Sequence, residues 1–392
     1  MLESAAMESS SRKKVLVGLS GGVDSSVAAE LLKNQGYEVE GAYMQCWSKG
    51  PYCSTERDRA DAARVAAHIG IPFQIFDFEK QYKKTVLGCF FKEYERGRTP
   101  NPDVMCNKEI KFGLFLKKAI DLGFDFVATG HYARVKQYQV SGINYQGIKK
   151  DKGQSLEKFR LLAGLDPAKD QNLVKYHLYA GLDPAKDQSY FLYTLTQDQL
   201  SKVLFPIGEY KKTEVRKLAK KLGLPTADKP DSQGICFVGT VNISDFLRET
   251  IKEKPGNIVD YDGNNVGKHD GLAFYTIGQR EGVGVSKSIP YYVAEKKPDS
   301  NKLVVAPLGS DKLFKSILEA SEATWTDNVG PKAGEKLKAR IRYRQPLVGA
   351  VIEKIQVGRV RVKFVEEQKA VTPGQSIVFY DEEEVLGGAI IN

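Results

Sequence analysis

A glycine-rich turn between an apolar run and a helical pattern is the feature that most constrains how this chain folds. The run KVLVGL starts at Lys14, the turn GLSGGVDS occupies residues 18–25, and a helical pattern with apolar Val27, Ala28 and Leu31 follows. Glycines allow tight turns and close approach to an anion, and a helix start offers unpaired N–H groups and a positive dipole end. The sequence therefore predicts a phosphate-binding loop. Its residues are Gly18, Leu19, Ser20, Gly21, Gly22, Val23, Asp24 and Ser25.

Three side chains of this loop have different expected roles. Ser20 and Ser25 can add hydroxyl donors for a phosphate. Asp24 repels phosphate, so we expect it to cap the following helix or to hold a magnesium ion. The loop lacks the Gly-Lys-Ser/Thr ending of a Walker A motif, which excludes that class of phosphate site.

Alternating strand and helix patterns predict an α/β fold with a parallel sheet for the first part of the chain. After about residue 257, short β-branched runs recur between Gly, Pro and Asp turns, which predicts an antiparallel barrel or sandwich. Strands are predicted at 14–19, 37–44, 73–78, 125–129, 291–294, 302–306, 336–343, 349–356, 359–364, 376–380 and 384–391, and helices at 25–34, 55–69, 79–96 and 112–122.

The length of 392 residues predicts several domains, because single cores stop growing near ~250–300 residues. We expect a disordered tail at 1–14, a parallel-sheet nucleotide domain at 15–224, a small central domain at 225–292 that carries Cys236, and a C-terminal β-barrel at 293–392. These domain boundaries are placed where the pattern of predicted strands and helices changes.

A tandem repeat lies inside the first of these domains. The run AGLDPAKDQ starts at Ala163 and again at Ala180. Two copies are too few for a solenoid, so a local duplication within a loop is expected, after a polar surface excursion at 136–158.

Charge and hydropathy limit the partner and the compartment. A net charge of +9 favours a polyanionic partner such as nucleic acid. No apolar run approaches the ~18 residues of a membrane span, and the N-terminus has no apolar secretory segment. A cytoplasmic location is therefore expected.

The five cysteines are odd in number and irregularly spaced, which argues against a disulfide framework. No Cys-x-x-Cys pair occurs, so neither zinc nor an iron–sulfur cluster is expected, and no metal ligands are predicted. Cys46, Cys53 and Cys89 are interpreted as small buried hydrophobes. Cys106 and Cys236 stand instead in longer motifs, NPDVMCNKEIKF and SQGICF.

Several motifs in a fixed order carry a resemblance to one family. The SGGVDS run resembles the pyrophosphatase loop of enzymes that cleave ATP between the α and β phosphates, which amidotransferases, argininosuccinate synthase and tRNA-modifying enzymes share. With the motifs around Cys106 and Cys236, the chain resembles the tRNA-specific 2-thiouridylases, the MnmA family, from about Lys14 to Asn392. The further matching motifs are TGHY at 129–132, KDQSYFL at 186–192, YTIGQR at 275–280 and TPGQ at 372–375.

This resemblance implies an adenine nucleotide α-hydrolase-like domain, a middle domain and a barrel, and a reaction that makes 2-thiouridine at the wobble position of tRNA. Adenylation turns the poorly reactive uridine O2 into a leaving group, and a cysteine persulfide is a reactive sulfur carrier. The position of Cys236 carries the persulfide in the family, and that of Cys106 is the catalytic cysteine that forms a disulfide with it. Asp103 becomes a candidate general acid/base. Cys106 precedes a predicted helix, whose dipole can lower its thiol pKa.

The resemblance also assigns binding residues and partners. Met44 and Gly130 would line the site of the co-substrate ATP, which brings Mg²⁺, at the carboxyl ends of strands. The partners are wobble-uridine tRNAs, such as those for Lys, Glu and Gln, and a persulfide donor protein fed by a cysteine desulfurase. Lys-Asp-Gln occurs at 169–171 and 186–188, and only the second copy continues as in the family. The expected tRNA contacts are Asn101, Pro102, Asp103, His131, Lys186, Asp187, Gln188, Arg342, Tyr343 and Gln375.

Alternative interpretations remain open at the level of the sequence. The chain could be another pyrophosphatase-loop enzyme, such as an amidotransferase or small-molecule ligase, or a non-catalytic RNA-binding protein with a vestigial loop. Individually, Met44 could be a core residue, Gly130 a turn glycine, and the run RIRYR at 340–344 a solvated strand face.

Overall fold

The computed structural model describes residues 12–48, 55–141, 172–231, 234, 236–239, 241–285 and 289–392. Some predicted features lie outside these residues. They are residues 1–11 of the expected tail, Cys53, the first repeat copy with its Lys-Asp-Gln at 169–171, the excursion from 142 onward, and Ser232, Gln233 and Ile235 of the second cysteine motif.

A five-stranded parallel sheet forms the centre of the N-terminal part, as predicted. In chain order, the first seven strands are β1 Lys14–Gly18, β2 Glu38–Gln45, β3 Phe73–Asp77, β4 Phe126–Ala128, β5 Ala133–Ser141, β6 Asn172–Ala180 and β7 Val203–Leu204. The sheet order is β3-β2-β1-β4-β7, and all of its pairings are parallel. The central strand β1 is buried from Val15 to its end, because both faces of the sheet are covered.

Helices cover the two faces of this sheet. The helices are α1 Val23–Asn34, α2 Thr55–Ile69, α3 Glu79–Tyr82, α4 Gly88–Glu95, α5 Pro102–Cys106, α6 Leu116–Asp121, α7 Gln197–Leu200, α8 Lys212–Lys221 and α9 Ile243–Arg248. On one face, Val15 and Val17 of β1 pack with Val27 of α1 and Val215 of α8. On the other, Leu16 belongs to a larger core that includes Phe115, the thiol-bearing segments and the middle domain.

Two π-helical segments interrupt the helices on this second face. Lys83–Leu87 joins α3 to α4, and Asn107–Phe115 joins α5 to α6. The predicted helix at 79–96 is therefore continuous, whereas the helix predicted at 112–122 begins much earlier, at Pro102. The earlier start has a local cause, because Asn101 caps the helix and proline occupies its first position.

A separate four-stranded sheet forms the middle of the chain. Its strands are β8 Gly256–Val259, β9 Asn265–His269, β10 Tyr291–Lys297 and β11 Lys302–Pro307, in the order β10-β11-β8-β9. The sequence analysis groups the runs at 291–294 and 302–306 with the barrel strands. In the structure they join this sheet, since β11 runs parallel to β8 with Leu303 opposite Ile258. The domain edges at 224/225 and 292/293 stay predictions.

The C-terminal strands close into the predicted barrel. They are β12 Phe314–Trp325, β13 Lys336–Arg340, β14 Val348–Gln356, β15 Arg359–Lys369, β16 Ser376–Asp381 and β17 Glu384–Ile391. The order β12-β15-β14-β13-β16-β17 is completed by pairing of β12 with β17. Val360, Val362 and Phe364 alternate with exposed residues along β15 and fill the interior. Strand β12 is not among the predicted strands.

A hairpin from the N-terminal part extends the barrel sheet. β5 and β6 pair antiparallel from Ala133 opposite Ala180 to Ser141 opposite Asn172. β6 then pairs with β17, where Leu178 lies opposite Val385. The segment that follows β4, including the first residues of the expected polar excursion, therefore fixes the barrel to the nucleotide domain.

No helix among the described residues combines the length and the apolar character needed to cross a bilayer. They also contain no cluster of three or more His, Cys, Asp or Glu side chains placed to bind a metal ion.

Candidate active site

The glycine-rich turn forms the predicted strand–loop–helix corner. β1 ends at Gly18 and α1 begins at Val23, with Gly22 as its N-cap and no side chain capping it. Gly21 has φ of 74°, and a β-carbon there would lie 2.2 Å from the carbonyl oxygen of Asp58. Only glycine fits this position, because the conformation and the space both exclude a side chain.

Two serines close the loop on itself. The Ser25 hydroxyl accepts from the backbone N–H of Ser20 at 3.2 Å, and the two hydroxyls are also 3.2 Å apart. Ser25 in turn donates to the Gly22 carbonyl at 3.2 Å. The loop is therefore shaped by its own hydroxyls, and their donation to a phosphate stays a prediction.

Met44 and Gly130 both border the loop. A β-carbon on Gly18 would lie 3.0 Å from Met44 Cε. A β-carbon on Gly130 would lie 2.6 Å from the backbone nitrogen of Ser25 and 2.7 Å from the carbonyl carbon of Asp24. Both residues stand at carboxyl ends of parallel strands, where open α/β sheets bind ligands. The structure thus brings them to the predicted place, and their contact with ATP stays a prediction.

Asp24 does not cap α1, contrary to one of its two expected roles. Its carboxylate accepts from the Lys212 ammonium, with both oxygens 2.8 Å from Nζ, and from the Tyr132 hydroxyl at 2.8 Å. These partners draw the side chain away from the free N–H groups of the helix. The alternative role at magnesium stays a prediction.

Lys212 is a site residue that the sequence analysis missed. Its Nζ also lies 2.8 Å from Asp231, so one ammonium joins the glycine-rich loop to the segment that leads to Cys236. Asp231 further pairs with Lys186 at 2.7 Å and with Arg216 at 2.6 Å. Burial raises the pKa of Asp231, but the hydrogen bonds from Lys186 and Lys212 outweigh it and hold that pKa well below its usual value. No local sequence motif predicts this ion-pair cluster.

The two motif cysteines lie side by side. Cys106 ends α5, Cys236 lies in a turn after Asp231, and their Sγ atoms are 3.5 Å apart. The Asp103 carboxylate accepts from the Cys236 backbone N–H at 3.1 Å, and the Tyr82 hydroxyl donates to the Cys236 carbonyl at 2.6 Å. The turn that carries Cys236 is thus held at both the N–H and the carbonyl of that residue.

The helix dipole does not act on Cys106 as predicted. The helix starts at Pro102, where the Asn101 side chain accepts from the N–H groups of Asp103 and Val104, and it continues past Cys106 into the π-helical segment. Cys106 therefore lies inside a helix rather than at its positive end. Burial instead raises the pKa of its thiol well above the ordinary value.

Asp103 fits the expected proton-transfer role better. Burial raises the pKa of its carboxyl, although the hydrogen bond from Cys236 N–H and the charge of Lys111 oppose the shift. A carboxyl with a raised pKa can exchange a proton nearer to neutral pH.

Lys111 is a second residue that the sequence analysis did not single out. Its ammonium lies 3.4 Å from His131 Nε2, and its charge adds to the Cys106 hydrogen bond in lowering the pKa of the Cys236 thiol. His131 Nδ1 lies 2.7 Å from the Thr129 hydroxyl, and burial followed by the charge of Lys111 holds the pKa of His131 well below its usual value. A neutral His131 can accept from Lys111 only through Nε2, so its proton is on Nδ1 and is donated to Thr129.

The remaining cysteines differ from each other. Cys46 follows β2 and is buried in the core that contains Cys106, as expected. Cys89 is exposed, contrary to the prediction, because α4 turns Phe90 and Tyr94 inward and leaves Cys89 on its outer side.

Two barrel residues expected to contact tRNA donate hydrogen bonds to backbone carbonyls of other parts of the protein. Gln375 Nε2 donates to the carbonyls of Thr99 at 2.8 Å and Pro100 at 3.3 Å, just before Asn101. The Arg342 guanidinium donates to the Ile277 carbonyl at 2.9 Å. Arg342 therefore joins the middle domain to the barrel and is not part of a solvated strand face.

The other expected tRNA contacts also have partners inside the protein. Tyr343 packs on Phe191, with ring centroids 4.4 Å apart. Asp187 is buried and pairs with Arg340 at 3.3 Å. Gln188 Oε1 accepts from the Tyr132 backbone at 3.0 Å. These residues border the site, and their contact with tRNA stays a prediction.

Family models match nearly the whole chain. One described as "tRNA methyl transferase HUP domain" matches residues 13–240, and one described as "tRNA methyl transferase PRC-barrel domain" matches residues 244–307. A third, "Aminomethyltransferase beta-barrel domain", matches residues 315–391. The three matches follow the order of the parallel sheet, the middle sheet and the barrel.

Curated relatives are similar over their full length. The tRNA-specific 2-thiouridylase MnmA of Geobacillus thermodenitrificans is 44% identical, over 97% of this chain and 94% of the relative. Proteins of the same name from Hydrogenovibrio crunogenus and Francisella tularensis subsp. novicida are each 43% identical, over 98% and 97% of this chain and 95% and 99% of the relatives. Among solved structures, NMN synthetase from Francisella tularensis aligns over 56% of this chain and 67% of that chain at 15% identity, with a TM-score of 0.31.

The parallel sheet with its glycine-rich loop defines a nucleotide-binding enzyme of the pyrophosphatase-loop class. A middle sheet and a closed barrel are joined to it, and a pair of thiols lies beside the loop-bearing sheet. The chain belongs to the family of tRNA-specific 2-thiouridylases, the MnmA family.

Proposed function

We propose that this chain replaces O2 of the wobble uridine of tRNA with sulfur by adenylating that oxygen and then transferring sulfur from a Cys236 persulfide with the help of Cys106. As a member of its family, the chain is a tRNA sulfurtransferase that uses ATP. The observation that carries the proposed course is the 3.5 Å separation of the two Sγ atoms, across 130 positions of sequence.

The glycine-rich loop supports the adenylation step. Uridine O2 attacks the α-phosphate of ATP, the bond between the α-phosphorus and the bridging oxygen breaks, and pyrophosphate leaves. The uncapped start of α1 and the hydroxyls of Ser20 and Ser25 suit the phosphates, and Met44 and Gly130 border the same space. Mg²⁺ would accompany ATP, and Asp24 supplies the kind of oxygen ligand that it prefers.

The paired thiols support the sulfur step. The Cys106 thiolate attacks the inner sulfur of the Cys236 persulfide, so that the bond to the outer sulfur breaks while that sulfur bonds to C2 of the uridine. AMP leaves C2 with its oxygen, and the cysteines end as a disulfide that an external thiol reduces. Asp103, beside Cys236, is placed to exchange a proton during these steps.

The tRNA would reach the thiols with its wobble base turned out of the stack, as chemistry on a base requires. Asn101, Pro102 and Asp103 begin the helix that ends at Cys106, so a base held there lies one short helix from the thiol. The net charge of +9 favours the tRNA backbone. The sulfur would come from a persulfide donor protein fed by a cysteine desulfurase. The expected contacts are Asn101, Pro102, Asp103, His131, Lys186, Asp187, Gln188, Arg342, Tyr343 and Gln375.

A thiolation assay tests this proposal. The purified chain is incubated with unmodified tRNA, ATP and a protein-borne persulfide, and 2-thiouridine is measured by mass spectrometry of the digested tRNA. The wild type should make 2-thiouridine, AMP and pyrophosphate in equal amounts. Cys106→Ser and Cys236→Ser should each make at least about a thousandfold less, because no other side chain replaces the lost sulfur nucleophile.

Cys89→Ser is the matched control, because Cys89 is an exposed thiol outside the pocket. It should thiolate tRNA at the wild-type rate. Normal thiolation by Cys236→Ser would contradict the proposed course. Pyrophosphate release with a free small-molecule acceptor, and none with tRNA, would favour an amidotransferase or ligase. Binding of tRNA without any conversion of ATP to AMP would favour a non-catalytic RNA-binding protein.

A further inference from the structure

Lys111 lies near the paired thiols of Cys106 and Cys236, and the proposed reaction assigns it no role. Its ammonium lies 3.4 Å from the neutral ring of His131, and its charge adds to the Cys106 hydrogen bond in lowering the pKa of the Cys236 thiol. It also lies 6.0 Å from the centroid of the Phe237 ring. Burying a lysine ammonium costs free energy unless charged or polar partners surround it. Lys111 is half-buried, so its position near a reactive sulfur calls for a physical role.

The π-helical segment Asn107–Phe115 explains how Lys111 reaches the sulfur. A π-helix closes hydrogen bonds from residue i to i+5, so it returns Lys111 to the side of the helix on which Cys106 lies. In an α-helix of 3.6 residues per turn, five residues would rotate the side chain roughly 140° away. The uncommon helix type therefore places an ammonium beside the thiol pair.

The titratable groups near Cys236 among the described residues come from several elements. They are Cys106 and Asp103 on α5, Lys111 on the π-helical segment, Cys46 after β2, Tyr82 on α3 and His131 after β4. Burial holds the pKa of His131 well below its usual value, so that ring is neutral, and the other groups apart from Lys111 are acids. Lys111 is thus the cation among the described residues that face this sulfur.

The surroundings shift the pKa values of the two thiols in opposite directions. Burial keeps Cys106 protonated by raising its pKa, and Cys106 donates its S–H to Cys236. That hydrogen bond is the largest influence that lowers the pKa of Cys236, and the charge of Lys111 adds to it against burial. In return, the thiols and Asp103 raise the pKa of Lys111 despite its burial.

We propose that Lys111 is a catalytic residue that holds Cys236 as a thiolate, ready to take sulfur from the donor persulfide, and afterwards holds the anionic outer sulfur of the Cys236 persulfide. In the first step the Cys236 thiolate attacks the outer sulfur of the donor, R–S–SH. A sulfur–sulfur bond forms at Cys236, the donor's sulfur–sulfur bond breaks, and the donor leaves as R–S⁻, which takes a proton from water. This role rests on the proposed function, because it assigns Cys236 the part of sulfur acceptor.

Alkylation of the purified chain tests the proposal without ATP or tRNA. The protein is treated with iodoacetamide between about pH 6 and about pH 9, on either side of the ordinary thiol pKa near 8.5, and modification of Cys236 is followed by peptide mass spectrometry. In the wild type the rate at Cys236 near pH 7 should already lie within about threefold of its rate near pH 9. In Lys111→Met it should fall about tenfold or more near pH 7 and rise with pH. Lys111→Arg, which keeps the charge, should recover most of the wild-type rate.

Lys108→Met is the matched control, because Lys108 is an exposed lysine on the same π-helical segment. It should leave the Cys236 profile unchanged. If the wild-type rate rises about tenfold per pH unit up to about pH 8.5, the proposal is overturned whether or not Lys111→Met folds. A Lys111→Met protein that alkylates like the wild type also overturns it.

The thiolation assay separates this proposal from the proposed function. A wild type with the expected alkylation profile but no tRNA thiolation would refute the function and the hold on the persulfide, and would leave only the stabilisation of the Cys236 thiolate by Lys111. A wild type that thiolates tRNA but shows an ordinary alkylation profile would support the function and refute the role of Lys111.

Discussion

The Sγ atoms of Cys106 and Cys236 lie 3.5 Å apart, although the two residues come from a helix and a distant turn. Asp103 accepts a hydrogen bond from the Cys236 N–H, and Tyr82 donates one to the Cys236 carbonyl. The contact is therefore part of the folded protein and does not depend on a rearrangement that first brings the two segments together.

Mild oxidation should join these two cysteines in the purified protein. A disulfide needs a sulfur–sulfur distance of about 2.05 Å, so the pair has only a short way to move. Peptide mapping under non-reducing conditions should find the Cys106–Cys236 pair as the main product. Cys46→Ala, which removes another thiol of the same buried core, should leave that product unchanged. A main product containing Cys46 would contradict the geometry.

Loss of Lys212 should destabilise the protein. Its ammonium pairs with Asp24 and Asp231, and Lys212→Met leaves both half-buried carboxylates with fewer partners. We expect the free energy of unfolding in urea to fall by about 1–3 kcal/mol. Lys217→Met, at an exposed position on the same helix, should change it by less than about 0.5 kcal/mol. Equal effects of the two substitutions would show that the ion pairs contribute nothing.

The carboxylate of Asp231 should make the fold sensitive to acid. Partial burial raises its pKa, but Lys186 and Lys212 hold it well below the unfolded value. The unfolded chain then binds more protons in acid, so this contribution to stability is present above about pH 4 and is lost as pH falls through the folded-state pKa. Asp231→Asn should therefore lose less stability than the wild type between about pH 6 and about pH 3.

Asp228→Asn is the control for this measurement, because Asp228 is exposed three residues earlier. It should follow the wild-type dependence on pH. An Asp231→Asn protein whose urea unfolding depends on pH as steeply as the wild type would contradict the account of the ion-pair cluster.

A side chain at position 130 should damage the nucleotide loop. The β-carbon of Gly130→Ala would lie 2.6 Å from Ser25 N, a backbone atom at the start of α1. We expect a loss of about 1–3 kcal/mol in unfolding free energy and weaker ATP binding, because α1 must shift to make room. Gly267→Ala is the control, since its nearest neighbour, Ile258 Cδ1, lies at an ordinary 3.5 Å. If calorimetry shows that Gly130→Ala binds ATP as tightly as the wild type, Gly130 does not line the ATP site.

The sequence predicts those parts of the site that are encoded locally. The strand–loop–helix corner follows from glycines placed between an apolar run and a helical pattern, and the two cysteines stand out through their motifs. Lys111 and Lys212 could not be singled out, because each gains its role from partners distant in sequence. Lys212 meets Asp24 across 188 positions, and no pattern in either segment signals that contact.

The errors have equally physical causes. The expected pKa effect at Cys106 failed because Asn101 and Pro102 start the helix before that cysteine rather than after it. The grouping of the runs at 291–294 and 302–306 with the barrel failed because β-branched periodicity identifies strands but not their partners. The prediction that Cys89 is buried failed because the hydrophobic character of a residue does not determine which side of α4 faces the core.

A single-turnover experiment tests the central claim most directly. Protein loaded with one sulfane sulfur on Cys236 is mixed with ATP and unmodified tRNA without any reductant, and 2-thiouridine and the Cys106–Cys236 disulfide are measured at successive times. The account predicts that the two products appear together in equal amounts, with one AMP for each. Formation of 2-thiouridine while both thiols stay unlinked would contradict it.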